Sequence, residues 1–283
     1  NDIDGDNICF PIDNYSYSWN TFPPQSNDTV FGPVNREYQV QVLNNTTGCI
    51  VEDTVRIPGY DILEASFFPN QSGCLSLINA DRYIYENNYT AAINECKNAI
   101  NNFEGCDLKK TATQTVFSDG NPESKIVFVG EAPGAEEDRQ GKPFVGKSGQ
   151  LLDRMLAAIN LSRQNVYITN IIPWRPPGNR TPTEEEVKMM KPFLIKHLEL
   201  IDPEIIVAVG GSSAKGLMNI SGGILRHRGK WGTIELNLEK KVNIIATLHP
   251  AYLLRAPNQK KLAWEDLKMI RDKFILIQNN QNL

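Results

Sequence analysis

No segment of this 283-residue chain runs for about 18 apolar residues without interruption, so nothing in it reads as a membrane-spanning helix. Positive charge is also in short supply. Against 33 Asp and Glu there are 29 Lys and Arg, giving a formal charge of -4 and an isoelectric point near 5.5. A chain with that balance has no general attraction to a polyanion. The deficit is local, however. Residues 1–80 hold ten acids and two bases, Arg36 and Arg56, a net -8; taking this from -4 leaves +4 on residues 81–283. Two modules are therefore expected: an acidic one over 1–80 and one mildly suited to a polyanion over 81–283. Cysteine is scarce as well, with five in all. Cys9, Cys49 and Cys74 fall in the first module, where pairing of the secreted kind leaves one over; free thiols are an equal reading.

What the first module does have is alternation. Tyr38, Val40 and Val42 are spaced by polar neighbours, as are Val51, Val55 and Ile57, with the turn signal Asn44-Asn-Thr-Thr-Gly48 between. This predicts a β-hairpin. With its Pro, Asn and Ser content and the segment Tyr17-Ser-Trp19-Asn, the module resembles the immunoglobulin-like repeats of bacterial surface adhesins.

From Asn88 the periodicity becomes helical: Ile93, Cys96, Ile100 and Phe103 fall on one face. Beyond them apolar runs alternate with helical patterns. Lys125–Val129, Val166–Ile171, Ile205–Val209 and Val242–Thr247 read as strands. Between and after them come a helix with Leu151, Leu152, Met155, Leu156 and Ile159 on one face, and one opened by the capping box Thr183-Glu-Glu-Glu186. A closing helix presents Ala263, Leu267, Ile270, Phe274 and Ile277. The order predicts an α/β fold: three α/β/α layers around a central, mainly parallel four-stranded sheet, preceded by the small β-rich module.

Gly141-Lys-Pro-Phe-Val-Gly146-Lys147-Ser148 fits the phosphate-loop pattern letter for letter. A phosphate loop leaves a strand directly, whereas here the polar stretch Ala135–Gln140 intervenes. No apolar strand closes on the aspartate that would hold magnesium; the later ones end in Asn170, Gly210 and His249. Nucleotide hydrolysis is therefore not expected. Gly146, Lys147 and Ser148 remain candidates for a phosphate of a nucleic-acid backbone.

Chemistry-bearing residues follow each predicted strand. Glu131, Glu137 and Asp138 come after the first, Asn170 ends the second, Gly210-Gly-Ser212-Ser213 follows the third and His249 the fourth. In a parallel sheet these share one edge. Asparagine can read the edge of a planar base, Phe144 offers a face for stacking, and histidine can donate to an oxygen that gains charge as a bond breaks.

Gly130-Glu-Ala-Pro-Gly134, Gly141-Lys-Pro-Phe-Val-Gly146, Tyr167-Ile-Thr-Asn170, Arg175-Pro-Pro-Gly-Asn-Arg-Thr-Pro182, Arg228-Gly-Lys-Trp231 and His249-Pro-Ala-Tyr-Leu-Leu-Arg255 resemble, in order and spacing, the family 4 uracil-DNA glycosylases. The resemblance runs from about residue 90 to 277. It implies a monofunctional DNA N-glycosylase that flips uracil out of DNA and hydrolyses its glycosidic bond, leaving an abasic site. By position, Phe144 would stack on the uracil, Asn170 would bond its Watson–Crick edge, and the backbone near Glu131 would touch the base. His249 would stabilise charge on uracil O2, and Glu131 and Glu137 would stabilise the cationic sugar or orient water. Leu253 and Leu254 would wedge the stack, while Arg255, Ser212, Ser213 and Lys147 would grip phosphates. A repair enzyme of this kind is expected to be a cytoplasmic monomer with uracil-containing DNA as its partner and no membrane. The alternative is a nucleic-acid-binding protein that retains the pocket without turnover.

One departure from the resemblance has chemical weight. The family's four iron–sulfur cysteines correspond here to Phe103, Cys106, Trp174 and Met190. One thiolate cannot hold a four-iron cluster, so no cluster and no metal is expected, with Phe103, Trp174 and Met190 packing as an apolar plug instead.

Overall fold

The computed structural model describes residues 15–19, 37–44, 50–56, 89–236 and 240–281. The chain divides into two compact units, Asn1–Phe67 and Phe68–Leu283. In the first, strands β1 (Tyr15–Trp19), β2 (Glu37–Asn44) and β3 (Ile50–Arg56) form an antiparallel sheet in chain order. The expected hairpin is β2–β3, with Val42 opposite Val51 and Tyr38 opposite Val55. Ile57, Cys9, Cys49, Cys74 and residues 45–49 of the turn lie outside the described residues.

The second unit is built on a six-stranded sheet ordered β4-β6-β5-β7-β9-β8. Its centre is the expected parallel set: β6 (Tyr167–Asn170), β5 (Ile126–Gly130), β7 (Ile205–Val209) and β9 (Lys241–Thr247). Two antiparallel edge strands extend the expected four, β4 (Ser118–Gly120) and β8 (Trp231–Glu235). Neither carries the signal that marks the central strands. All five residues of β5 and of β7 are buried, whereas β4 is three half-buried residues and only Ile234 of β8 is buried. Edge strands of this kind hide too little apolar surface to show as a run.

Period-two geometry sends successive side chains to opposite faces, and two cores result. Val127, Val129, Ile206, Ala208, Ile244 and Ala246 point into one. Helices α1 (Tyr89–Asn102), α5 (Glu184–Ile201) and α6 (Gly211–Met218) cover it. Ile126, Phe128, Ile205, Val207 and Ile245 point into the other, covered by α4 (Lys147–Ala157), α7 (Pro250–Arg255) and α8 (Lys260–Gln281). Two short helices, α2 (Leu108–Thr111) and α3 (Ala135–Gln140), complete the set. Each fully buried Ile, Val or Phe contributes about 1.5–3 kcal/mol through burial, so two dry faces fix the sheet as the rigid floor of whatever sits at its end. The capping box at α5 forms as expected: the Thr183 hydroxyl accepts from the Glu186 N–H at 3.2 Å, and Glu186 accepts from the Thr183 N–H at 2.8 Å. Among the described residues, no helix is long and apolar enough to cross a membrane.

Candidate active site

The carboxyl ends of the four parallel strands open on one cleft of about 590 Å³. Glu131 after β5, Asn170 at the end of β6, Gly210 after β7 and His249 after β9 all line it, together with Phe144. Ligands sit here in open α/β sheets because the strand ends leave a concave edge of backbone groups.

Asn170 is 6% exposed, and its side-chain amide has no hydrogen-bond partner among the described residues. A buried amide without a partner is costly unless a ligand supplies one. Gly130 makes room for it. A Cβ there would come within 2.3 Å of Asn170 Oδ1 and 2.7 Å of the Phe144 ring, so the amide and the ring both lie over this one residue. Phe144 itself adopts a left-handed φ of 54°, a conformation that costs a non-glycine residue about 1–2 kcal/mol. Two features hold it there. Arg163 donates to the carbonyls of Pro143, at 3.1 Å, and Phe144, and is itself anchored on Asp119 at 2.6 Å and Asp153 at 2.8 Å. From the other side α4 presses in at Gly149, where any Cβ would stand 1.7 Å from the Phe144 carbonyl oxygen.

His249 closes the third side, its ring centroid 5.5 Å from that of Phe144. It is the N-cap of α7: Nδ1 accepts from the Ala251 N–H at 3.1 Å. An accepting Nδ1 puts the proton of the neutral ring on Nε2, which is left as a donor. Burial, with the Arg255 charge beside it, pushes the His249 pKa down to about 4 against an opposing pull from Glu137, so the ring is neutral at pH 7. The close seat depends on Gly210, whose φ of 99° and hypothetical Cβ, 2.9 Å from His249 Cβ, exclude a side chain.

The three carboxylates that look alike in the sequence are used differently. Glu137, 7% exposed, accepts from the backbone N–H groups of Gly134 at 3.2 Å, Val145 at 3.0 Å and Gly146 at 2.8 Å. These bonds tie the turn after β5 to the start of α4. They also explain why the phosphate-loop pattern is empty of that function: the loop amides that would cradle a phosphate are taken by a carboxylate. Asp138 binds the Thr113 N–H and hydroxyl, each at 2.8 Å, and belongs to the scaffold. Glu131 alone keeps a half-buried carboxylate on the cleft with no partner among the described residues.

A planar ligand held by a ring face, an amide and an imidazole N–H is what this geometry accommodates. The sequence model of the Uracil DNA glycosylase superfamily matches residues 117–268, which hold every one of these groups. The chain belongs to the uracil-DNA glycosylase superfamily. A Type-4 uracil-DNA glycosylase of Archaeoglobus fulgidus is 46% identical over 58% of this chain and 84% of its own length. One from Sulfurisphaera tokodaii is 38% identical over 65% of this chain and 86% of its own, and one from Thermotoga maritima 40% identical over 58% and 84%.

The structure divides the positions expected to face DNA. Ser148 and Arg255 line the cleft; Lys147 is exposed at the start of α4 and Ser212 half-buried in α6, neither of them on the cleft wall. Ser213 is turned away: fully buried, its hydroxyl donates to the Val129 carbonyl at 2.6 Å and docks α6 on β5, leaving nothing for a phosphate. The expected leucine pair is split likewise. Leu253 is 1% exposed inside the core, because an α7 residue one position from the exposed Leu254 faces the sheet, while Leu254 stands 42% exposed. Sequence reasoning missed the wall made by Asn179, Arg180 and Thr181, and Tyr252 of α7. Arg180 is fixed by a two-pronged pair with Glu186, at 2.6 and 2.9 Å. The motifs containing these residues were visible; which members faced inward was not.

At the four positions where iron–sulfur ligands are implied for the family, Phe103, Cys106, Trp174 and Met190 are each no more than 2% exposed and share one apolar cluster. Trp174 donates to the Thr115 hydroxyl at 3.1 Å, and Phe103 packs on Phe193 with centroids 5.0 Å apart. Burial pushes the Cys106 thiol up, and pushes Cys96 up to about 12. Cysteine binds a metal as its thiolate, and among the described residues no three His, Cys, Asp or Glu side chains gather in a metal-binding group. The donor set does not fit a cluster.

Proposed function

We propose that residues 81–283 excise uracil from DNA by hydrolysing the bond between the base and its sugar, with residues 1–80 standing apart from the reaction. The observation that carries this is the meeting of Phe144, Asn170 and His249 on one cleft, in a chain 46% identical to a Type-4 uracil-DNA glycosylase. The uracil is extruded from the stack, because neither its bond nor its edge can be reached inside it. Phe144 stacks on the ring and Asn170 supplies a donor and an acceptor to the Watson–Crick edge. As the glycosidic bond breaks, its electron pair leaves with uracil N1 and spreads to O2, where the neutral His249 donates from Nε2. The sugar is left cationic; the free carboxylate of Glu131 stabilises it, orients the water whose oxygen bonds to C1′ and takes the proton that water loses, which then passes through solvent to the departed uracil anion. Glu137 takes no part in that step, its oxygens being bound to the loop. DNA phosphates are gripped by Arg255, Ser148, Lys147 and Ser212, and Leu254 enters the gap in the stack.

This reading includes the absence of an iron–sulfur cluster, the apolar plug of Phe103, Trp174 and Met190 joining the same loop to the same helix. Iron analysis of protein purified without oxygen should find far less than one iron per chain; stoichiometric iron would overturn it. The activity is tested by incubation with a uracil-containing oligonucleotide followed by alkali. Cleavage at the uracil supports the assignment. Tight binding with intact DNA would leave a non-catalytic binder.

A further inference from the structure

Between α6 and β8 lies a turn, residues 221–230, which the roles above do not use. It is pinned at several points. His227 Nε2 meets the Ser221 carbonyl at 2.7 Å and closes the turn on itself. Arg228 Nε donates to Asp266 Oδ2 at 2.9 Å, and its Nη2 reaches Asp266 Oδ1 and the Leu262 carbonyl, tying the turn to α8. Asp266 is fully buried and also accepts from the Thr247 hydroxyl at 2.8 Å, while the Gly229 N–H donates to Ala246 on β9 at 3.0 Å. At the tip a single 3-10 turn, Ile224–Arg226, carries two apolar side chains. Ile224 lines the cleft; Leu225, next to it, is 54% exposed.

A lone exposed leucine is ordinary. The free cations of the same turn are what point to a partner. Arg226 and Lys230 are exposed and have no ion-pair partner among the described residues, whereas Arg228 between them is spent on Asp266. An apolar tip on a braced turn at the rim of a cleft, with two uncommitted cations on the same turn, matches a surface with apolar layers between rows of phosphates. That surface is duplex DNA.

We propose that Leu225 is a second apolar wedge, inserted into the duplex stack beside the extruded uracil from a different element than Leu254, with Arg226 and Lys230 taking nearby phosphates. This rests on the glycosylase reading above. A stiff turn suits the role, since a wedge that yields cannot hold two base pairs apart.

The test compares kcat/KM for uracil excision from double-stranded and single-stranded oligonucleotides of one sequence. Leu225→Ala should lower the duplex-to-single-strand ratio about tenfold, and Leu225→Met should restore most of it. Because the ratio cancels the amount of folded enzyme, a purely structural defect does not move it. Arg226→Ala should flatten the salt dependence of duplex binding by about one ion. An unchanged ratio, or equal losses on both substrates, would overturn the wedge while leaving the glycosylase intact; so would wild-type protein that acts on single strands alone. Wild-type protein inactive on both would remove the glycosylase reading itself and the wedge with it.

Discussion

In the proposed reaction His249 supplies one donor and Asn170 a donor and an acceptor, so removing either should cost at least what one preorganised donor is worth. Asn170→Ala and His249→Ala are each expected to lower kcat by about 10²–10³-fold with unfolding curves little changed; near-normal kinetics in both would contradict the site. The pH profile follows from the same imidazole. Its pKa near 4 lies below the usual value of about 6.5, so the neutral donor form persists from pH 8 down to about 5 and is lost only as pH falls through 4. Activity measured over pH 5–8 should therefore show no inflection due to His249; a limb centred near 6.5 that disappears in His249→Gln would be the contrary result. Asn170 and His249 were legible in the sequence because each ends or follows a buried strand run, whereas Phe144, on the loop between α3 and α4, stood out through its glycine-rich motif. The division of labour among Glu131, Glu137 and Asp138 was not, since it depends on which backbone amides lie within 3 Å of each carboxylate. Ser213 and Leu253 show the same limit: adjacent letters of a helix face opposite ways.

Elements position these groups by close approach. The contact of α4 with Phe144 leaves no room for a methyl group at Gly149, so Gly149→Ala must push the helix or the ring away. Loss of about 1–3 kcal/mol in urea unfolding is expected, together with a fall in kcat/KM, and full stability with full activity would show that the slot tolerates displacement. The four parallel strands could be read from their uninterrupted apolar runs, and the capped start of α5 from Thr183 and Glu186. The two edge strands could not. Mostly half-buried or exposed and only three to five residues long, they leave no period to detect.

For the molecule as a whole, acid should be the weak flank. His197 is 2% exposed, stacked on Phe117 with centroids 4.2 Å apart and 2.8 Å from the Tyr167 hydroxyl; burial pushes its pKa down to about 3. The unfolded chain takes up that proton near pH 6.5 and the folded one does not. The stability from keeping His197 neutral is thus complete above pH 6.5 and drains away as pH falls toward 3, at up to about 1.4 kcal/mol per pH unit. Urea midpoints at pH 7, 6 and 5 should fall accordingly, and His197→Phe should flatten the slope; equal slopes would assign the loss to other groups. The break in charge puts the boundary at residue 80, whereas the division into two compact units falls after Phe67. At the positions where the family resemblance implies cluster cysteines, Phe103, Trp174 and Met190 lie hidden from solvent in one apolar cluster. On the proposed cluster-free reading, peroxide would find no cluster to dismantle and a starved cell would not ration a scarce nutrient to it, so uracil excision should persist after peroxide treatment or iron depletion.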